Sequence, residues 1–245
     1  SPYSFYGIGE TRFNGTVESR SMGGISMIPD STRINFQNPA GYGNIKWTNF
    51  TIGASSGRVK QKTETSNSTA KRTTLDYLAL AIPMGKFGAG FGLIPYSSVG
   101  YKIENINSDG LQNNKRFNGW GGMNRVFLGT GYRILPNLSV GASAYYNFGK
   151  IQTNSLEFRP YVPIGSRELN VNELNGVSYN FGVMHQLKLK NKLSVFSSLY
   201  YTPKSTLKSN NERTIGTVTY NSNYDLSPID SYPTAVTKTD LSLTQ

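Results

Sequence analysis

The stretch Leu138-Ser139-Val140-Gly141-Ala142-Ser143-Ala144-Tyr145-Tyr146-Asn147-Phe148 decides how the chain is read. Its even positions are Leu138, Val140, Ala142, Ala144, Tyr146 and Phe148, and its odd positions are Ser139, Gly141, Ser143, Tyr145 and Asn147. Successive side chains of a strand point to opposite faces, so a period of two gives one apolar face and one polar or small face. The pattern recurs. From Phe87 to Leu93, Phe87, Ala89, Phe91 and Leu93 alternate with Gly88, Gly90 and Gly92. Val177, Tyr179, Phe181 and Val183 alternate with Ser178, Asn180 and Gly182, and Leu193, Val195, Leu199 and Tyr201 follow more loosely.

Each alternating segment runs about ten residues, the length with which a tilted strand crosses a bilayer. Short turns fall at Met84-Gly85-Lys86, Leu135-Pro136-Asn137 and Lys190-Asn191-Lys192, and polar stretches lie between them near 57–72, 104–118 and 152–174. Short turns on one side and long loops on the other are the habit of outer-membrane barrels, whereas a soluble sandwich mixes loop lengths at both ends. The expected fold is therefore all-β, a transmembrane antiparallel β-barrel of the bacterial outer membrane. Tyr145, Tyr146 and Phe148 stand about as far beyond one short turn as Tyr200 and Tyr201 beyond another, the height of an aromatic girdle.

Composition agrees. Glycine (26), tyrosine (16) and phenylalanine (12) with only 16% charged residues is a β-rich usage. Mean hydropathy is −0.40, and no apolar run approaches the roughly 20 residues of a spanning helix. A barrel strand is apolar only on alternate residues and escapes that test. The absence of cysteine removes disulfides, thiol catalysis and zinc-thiolate sites. A net charge of +11 raises the question of nucleic acid. Yet Lys188, Lys190 and Lys192 share one turn, Arg58, Lys60, Lys62, Lys71 and Arg72 flank one loop, and neither group interleaves with aromatics as a single-strand groove does. The expected partners are outer-membrane lipid and lipopolysaccharide phosphates, and no nucleic acid. The polar, uncharged start Ser1-Pro2-Tyr3 reads as a processed terminus.

Residues 1–45 break the pattern with Gly7, Gly9, Gly15, Gly23, Gly24, Pro29 and Pro39, and they end in Asn38-Pro39-Ala40-Gly41-Tyr42-Gly43, a run of turn signals. Such a segment is too irregular to face lipid, where every backbone group must be paired. It must lie in the lumen or in water; in the lumen, as a plug, its polar groups are expected to pair with inward Ser139, Ser143, Asn147, Ser178 and Asn180. Residues 46–245 supply about eight strands, near 46–56, 73–83, 87–96, 120–134, 138–149, 175–188, 193–202 and one in the last thirty residues. A barrel of about eight strands is filled by its own side chains and has no room for a hatch. The barrel is therefore expected to be incomplete here, with further strands beyond Gln245.

Arg20-Ser21-Met22-Gly23-Gly24, followed by Asn38-Pro39-Ala40-Gly41 before the first strand, resembles the hatch signature of the FadL/TodX family of outer-membrane transporters. Gly88-Ala89-Gly90-Phe91-Gly92-Leu93-Ile94-Pro95-Tyr96 is similar to that family's glycine-rich third strand, and Ser1-Pro2-Tyr3-Ser4 with Tyr6-Gly7-Ile8-Gly9 resembles its Bacteroidota branch. The resemblance implies about 14 strands around a hatch built on Arg20, Met22, Gly23, Gly24, Asn38, Pro39, Ala40 and Gly41. It also implies passive uptake of a small hydrophobic ligand, with lateral exit at Gly88, Gly90, Gly92 and Pro95. The residues allow a second reading of these glycines, that they face a lumen crowded by the hatch backbone. In the same way the function divides between a transporter and a non-transporting structural or accessory subunit of a larger outer-membrane assembly or secretion complex, partnered by other envelope proteins.

Little chemistry is expected. His185 is the only histidine, so neither a triad nor a zinc site can be completed around it. Gly88, Gly90 and Gly92 lack dinucleotide spacing and a following helix. Asp225, Asp230 and Asp240 are too dispersed for a calcium loop. The reading is a protein without enzyme activity, metal or cofactor.

Overall fold

The computed structural model describes residues 7–62, 67–105, 114–189, 193–221 and 225–243. They form one antiparallel sheet of eleven strands: β1 (Glu10–Thr11), β2 (Asn49–Lys62), β3 (Asn67–Met84), β4 (Phe87–Asn105), β5 (Asn114–Leu135), β6 (Leu138–Phe158), β7 (Ile164–Lys188), β8 (Ser194–Tyr201), β9 (Ser205–Tyr220), β10 (Leu226–Ser231) and β11 (Ala235–Leu243). The helical elements among the described residues are α1 (Val17–Ser21) and a 3-10 turn, Pro39–Asn44. None is long and apolar enough to cross a membrane.

Hydrogen bonds join β2, β3, β4, β5, β6, β7, β9 and β10 in that order, and the sheet is open. Two passes are divided. β8 and β9 both run antiparallel to β7, against its C-terminal and N-terminal halves, with Thr202-Pro203-Lys204 between them. β10 and β11 share β9 in the same way, separated by Tyr232-Pro233-Thr234. Proline cannot donate to a ladder, and both breaks contain one. With each divided pass counted once and β1 set aside, eight long passes remain, the number read from the sequence.

The passes are longer than the sequence suggested. Most of 57–72, 104–118 and 152–174 was expected as loop; the described parts of these stretches are largely strand. Their outer face turns polar, as at Gln152 and Asn154, so the alternation that marks the lower half fades while the backbone ladder continues. Lys150 and Glu173 mark the change: they are opposed across β6 and β7 on the outer face, two residues above Phe148, and pair at 3.1 Å.

Register converts the alternation into rows. Ile52, Leu78, Leu93, Val126, Tyr146 and Val177 lie side by side across β2 to β7, and below them run Phe50, Leu80, Phe91, Leu128, Ala144 and Tyr179. Phe50, Ile52, Phe91, Leu128, Tyr146 and Tyr179 are all exposed, so this face is apolar and open. The opposite face buries Arg125, Ser139, Ser143, Asn147, Ser178 and Asn180. An exposed apolar face opposite a face with many buried polar side chains departs from the usual soluble sheet.

The inner face is covered by the N-terminal segment. Ile34, Phe36, Tyr42 and Ile45 form a cluster with Tyr77, Ala79, Ala81, Ile94, Phe127 and Tyr145 from the strands. Phe36 meets Phe127 edge-on at 5.5 Å and Tyr77 at 5.1 Å. Higher up, Val99, Met123, Ile151, Leu174, Leu207 and Leu243 form a second cluster, with Ile8 against it.

One ladder stops early. β3 and β4 pair only up to Leu78 and Leu93, while β4 and β5 stay paired to Asn105 and Lys115. In the seam above Leu93, β1 adds to the free edge of β4, Glu10 opposite Ser98 and Thr11 opposite Ser97. Arg12 bridges the seam, its backbone N donating to Tyr96 O at 2.8 Å and its Nη1 to Leu75 O at 2.9 Å.

Candidate functional site

The buried centre of the inner face is the segment Asn38 to Gly43. Pro39 stands at the first position of the 3-10 turn, where its fixed φ suits the geometry and its missing N–H is not needed. Asn38 caps the turn through Oδ1, which accepts from Ala40 N at 2.9 Å. Its Nδ2 reaches the other way, to Val183 O at 3.1 Å, Ser198 Oγ at 2.8 Å and Leu199 O at 3.2 Å. A single fully buried amide therefore shapes the turn and fastens it to β7 and β8. Asn180 Nδ2 donates to Gln37 O, Asn44 Nδ2 to Ser139 Oγ, and Tyr145 OH to Phe36 O.

Under the turn the sheet has no side chains. Gly88, Gly131, Gly141 and Gly182 are neighbours in one inner row across β4 to β7. A Cβ on Gly88 would overlap the Tyr42 carbonyl, on Gly131 the backbone of Gly43 and Pro39, on Gly141 the Pro39 carbonyl and Ala40 N, and on Gly182 the Asn38 amide. In the next row, Gly90 and Gly129 make room for the Tyr42 ring. The four glycines form a trough in which backbone lies on backbone.

The residues read as a hatch separate into two groups. Asn38, Pro39, Ala40 and Gly41 are in the trough. Arg20, Met22, Gly23 and Gly24 form the exposed end of α1, with φ of 73° at Gly23 and 87° at Gly24 and no atom near Gly23. Arg20 lies 3.7 Å from Asp76 and over the Phe13 ring at 5.4 Å. Of the four positions read as a lateral exit, Gly88 and Gly90 face Tyr42 of the N-terminal segment. A Cβ on Gly92 would instead meet Leu78 O and Ala79 of the adjacent strand. Pro95 begins a bulge in the β4–β5 ladder at the seam. Burial and the nearby charge of Arg72 pull the Arg12 guanidinium below its ordinary range, opposed by Asp76 and Glu10.

Sequence reading missed Tyr42, Gly131, Gly141 and Gly182 as one site, and it missed Arg125. With Gly88 these glycines lie on four strands, and the register that aligns them includes a bulge between Arg133 and Leu135. Counting back from the short turn places Gly131 opposite Ala142, one residue away from its true partner. Arg125 sits at an inward position whose two neighbours, Asn124 and Val126, gave no sign of a special environment.

A family model, BamG, matches residues 1–245. The chain belongs to the BamG family. This family is associated with the BAM complex, which places the chain at the outer membrane among other envelope proteins. No curated protein and no solved structure matches it significantly. The resemblance to FadL/TodX is thereby corrected. Asn-Pro-Ala-Gly and the glycine-rich strand are what a sheet needs to seat a capped turn against its backbone, and the Gly-Gly turn ends an exposed helix, so these features do not separate the BamG family from that one.

Proposed function

We propose that this chain is an outer-membrane β-barrel segment acting as a non-catalytic accessory subunit of the BAM complex. In this reading the sheet spans the membrane, residues 1–45 form a fixed plug, and the tall polar upper strands meet other subunits. The observation that carries it is the BamG match over the full sequence. The exposed apolar face supports it: Leu138 to Phe148 extends about 34 Å along the strand, and a barrel tilt of about 40° reduces this to about 26 Å, close to the apolar height of such barrels. The outer rows would face lipid. The β2–β3 hairpin carries Arg58, Lys60, Lys62 and Lys71, with Arg58 directly opposite Lys71, and would face lipopolysaccharide phosphates.

The seated turn favours a subunit over a conduit. Tyr42 is 1% exposed, and burial of one aromatic of this kind contributes about 2–3 kcal/mol. A turn fixed in this way, with Asn38 tied to two strands, serves as a structural filler. The test is a mild-detergent pull-down of the tagged protein from outer membranes. Co-purification of BAM subunits in constant ratio is expected; full recovery of the barrel alone overturns the proposal.

A further inference from the structure

A cavity of about 600 Å³ lies between the seam and the seated turn, and its lining includes Arg12, Asn14, Tyr96, Arg125, Tyr145 and Asn180. Among the described residues, no aspartate or glutamate lines it. Arg125 is 2% exposed, with its guanidinium carbon 3.9 Å from the centre of the Tyr96 ring and 5.0 Å from that of Tyr145. Rings stacked on a guanidinium use its faces, and its N–H groups lie in the plane. Arg125 Nε and Nη2 have no partner among the described residues. These two atoms share one edge of the guanidinium and direct their hydrogens in parallel, the geometry for two adjacent oxygens of one anion.

Other residues with unmet groups line the same cavity. Nine buried side-chain polar atoms lack a partner among the described residues. Five of them, Arg12 Nε, Asn14 Oδ1, Arg125 Nε, Arg125 Nη2 and Asn180 Oδ1, belong to residues lining this cavity. Three are donors on cations and two are acceptors. Buried polar groups are ordinarily satisfied, and such a concentration implies a ligand that both accepts and donates. We infer that the cavity binds a phosphate group carrying a neighbouring hydroxyl or ammonium donor, with the phosphate on the free edge of Arg125 and on Arg12 Nε and the donor on Asn14 and Asn180. A phospholipid headgroup and a free phosphate ester share this chemistry.

Titration calorimetry on the intact protein in non-ionic detergent, with glycerol 3-phosphate and a short-chain phosphatidylethanolamine as probes, separates the two sources. Saturable binding of at least one probe at a single site is expected, weakened by about tenfold or more in Arg125→Gln. Arg125→Lys keeps the charge and loses the edge, and it should weaken binding severalfold. Binding of the lipid alone assigns a membrane source, and equal binding of both assigns a free ester. If Arg125→Gln does not fold, Arg12→Gln carries the comparison, because Arg12 lies outside the long strands. Absence of binding by either probe to the unaltered protein overturns the inference, as does binding that neither folded variant weakens.

Discussion

Two glycine-bearing turns of the N-terminal segment look alike in sequence and do opposite things in the fold. At Met22-Gly23-Gly24 the glycines adopt positive φ at an exposed helix end, with open space around Gly23. At Asn38-Pro39-Ala40-Gly41-Tyr42-Gly43 the turn lies in a trough made by glycines of other strands, and Pro39 through Gly43 are buried. In the first turn glycine supplies backbone freedom; in the second, glycines on the facing strands supply proximity. The first kind of requirement is local and mild, and the second depends on four strands at once.

The largest expected effect comes from filling the trough. Gly141→Val places a branched side chain where the Pro39 carbonyl lies, and β6 cannot yield without breaking its ladders to β5 and β7. The turn should be expelled at a cost of about 3 kcal/mol or more. Loss of the heat-modifiable folded band on a gel, or rapid tryptic cleavage at Arg33 where a band survives, would show it. A folded variant with Arg33 cut no faster than in the unaltered protein would mean that the trough is not the seat. Asn38→Ala comes next. It removes the cap and the buried amide bonds to Val183, Ser198 and Leu199, costing about 2 kcal/mol in denaturant unfolding. Unchanged stability would reduce Asn38 to a bystander.

The smallest effects belong to the exposed turn. Gly23→Ala should cost about 1 kcal/mol for its positive φ, and Arg20→Ala less than about 1 kcal/mol, since the ion pair with Asp76 is half-exposed on the arginine side. Both are read from the same unfolding curves. If either destabilises as much as Asn38→Ala, the contrast between the two turns fails.

The difference between the turns also explains what could be read in advance. Alternation at 138–148 and 177–183 fixed both the strands and their buried faces, because period two is a property of each segment alone. Ser139, Ser143, Asn147, Ser178 and Asn180 are all buried as that parity requires. The eight passes were legible for the same reason. Their upper halves were not, since Lys150, Gln152 and Asn154 stand where an apolar face had been, and hydrogen bonding in a ladder leaves no mark on side-chain polarity. The glycine row was visible only as four unrelated glycines. Its meaning depends on register, and register passes through a bulge that no residue type announces.

The anchoring of Asn38 has a consequence for the order of folding. The amide bonds to Ser198 and Leu199, 160 and 161 residues further along the chain. The turn cannot be completed until β8 has reached β7, although residue 38 leaves the ribosome long before either strand. Contacts of such separation are slow to form because the intervening loop must close first. The turn therefore waits undocked through much of folding, and its docking is a late step that reports when β4 to β8 are in register.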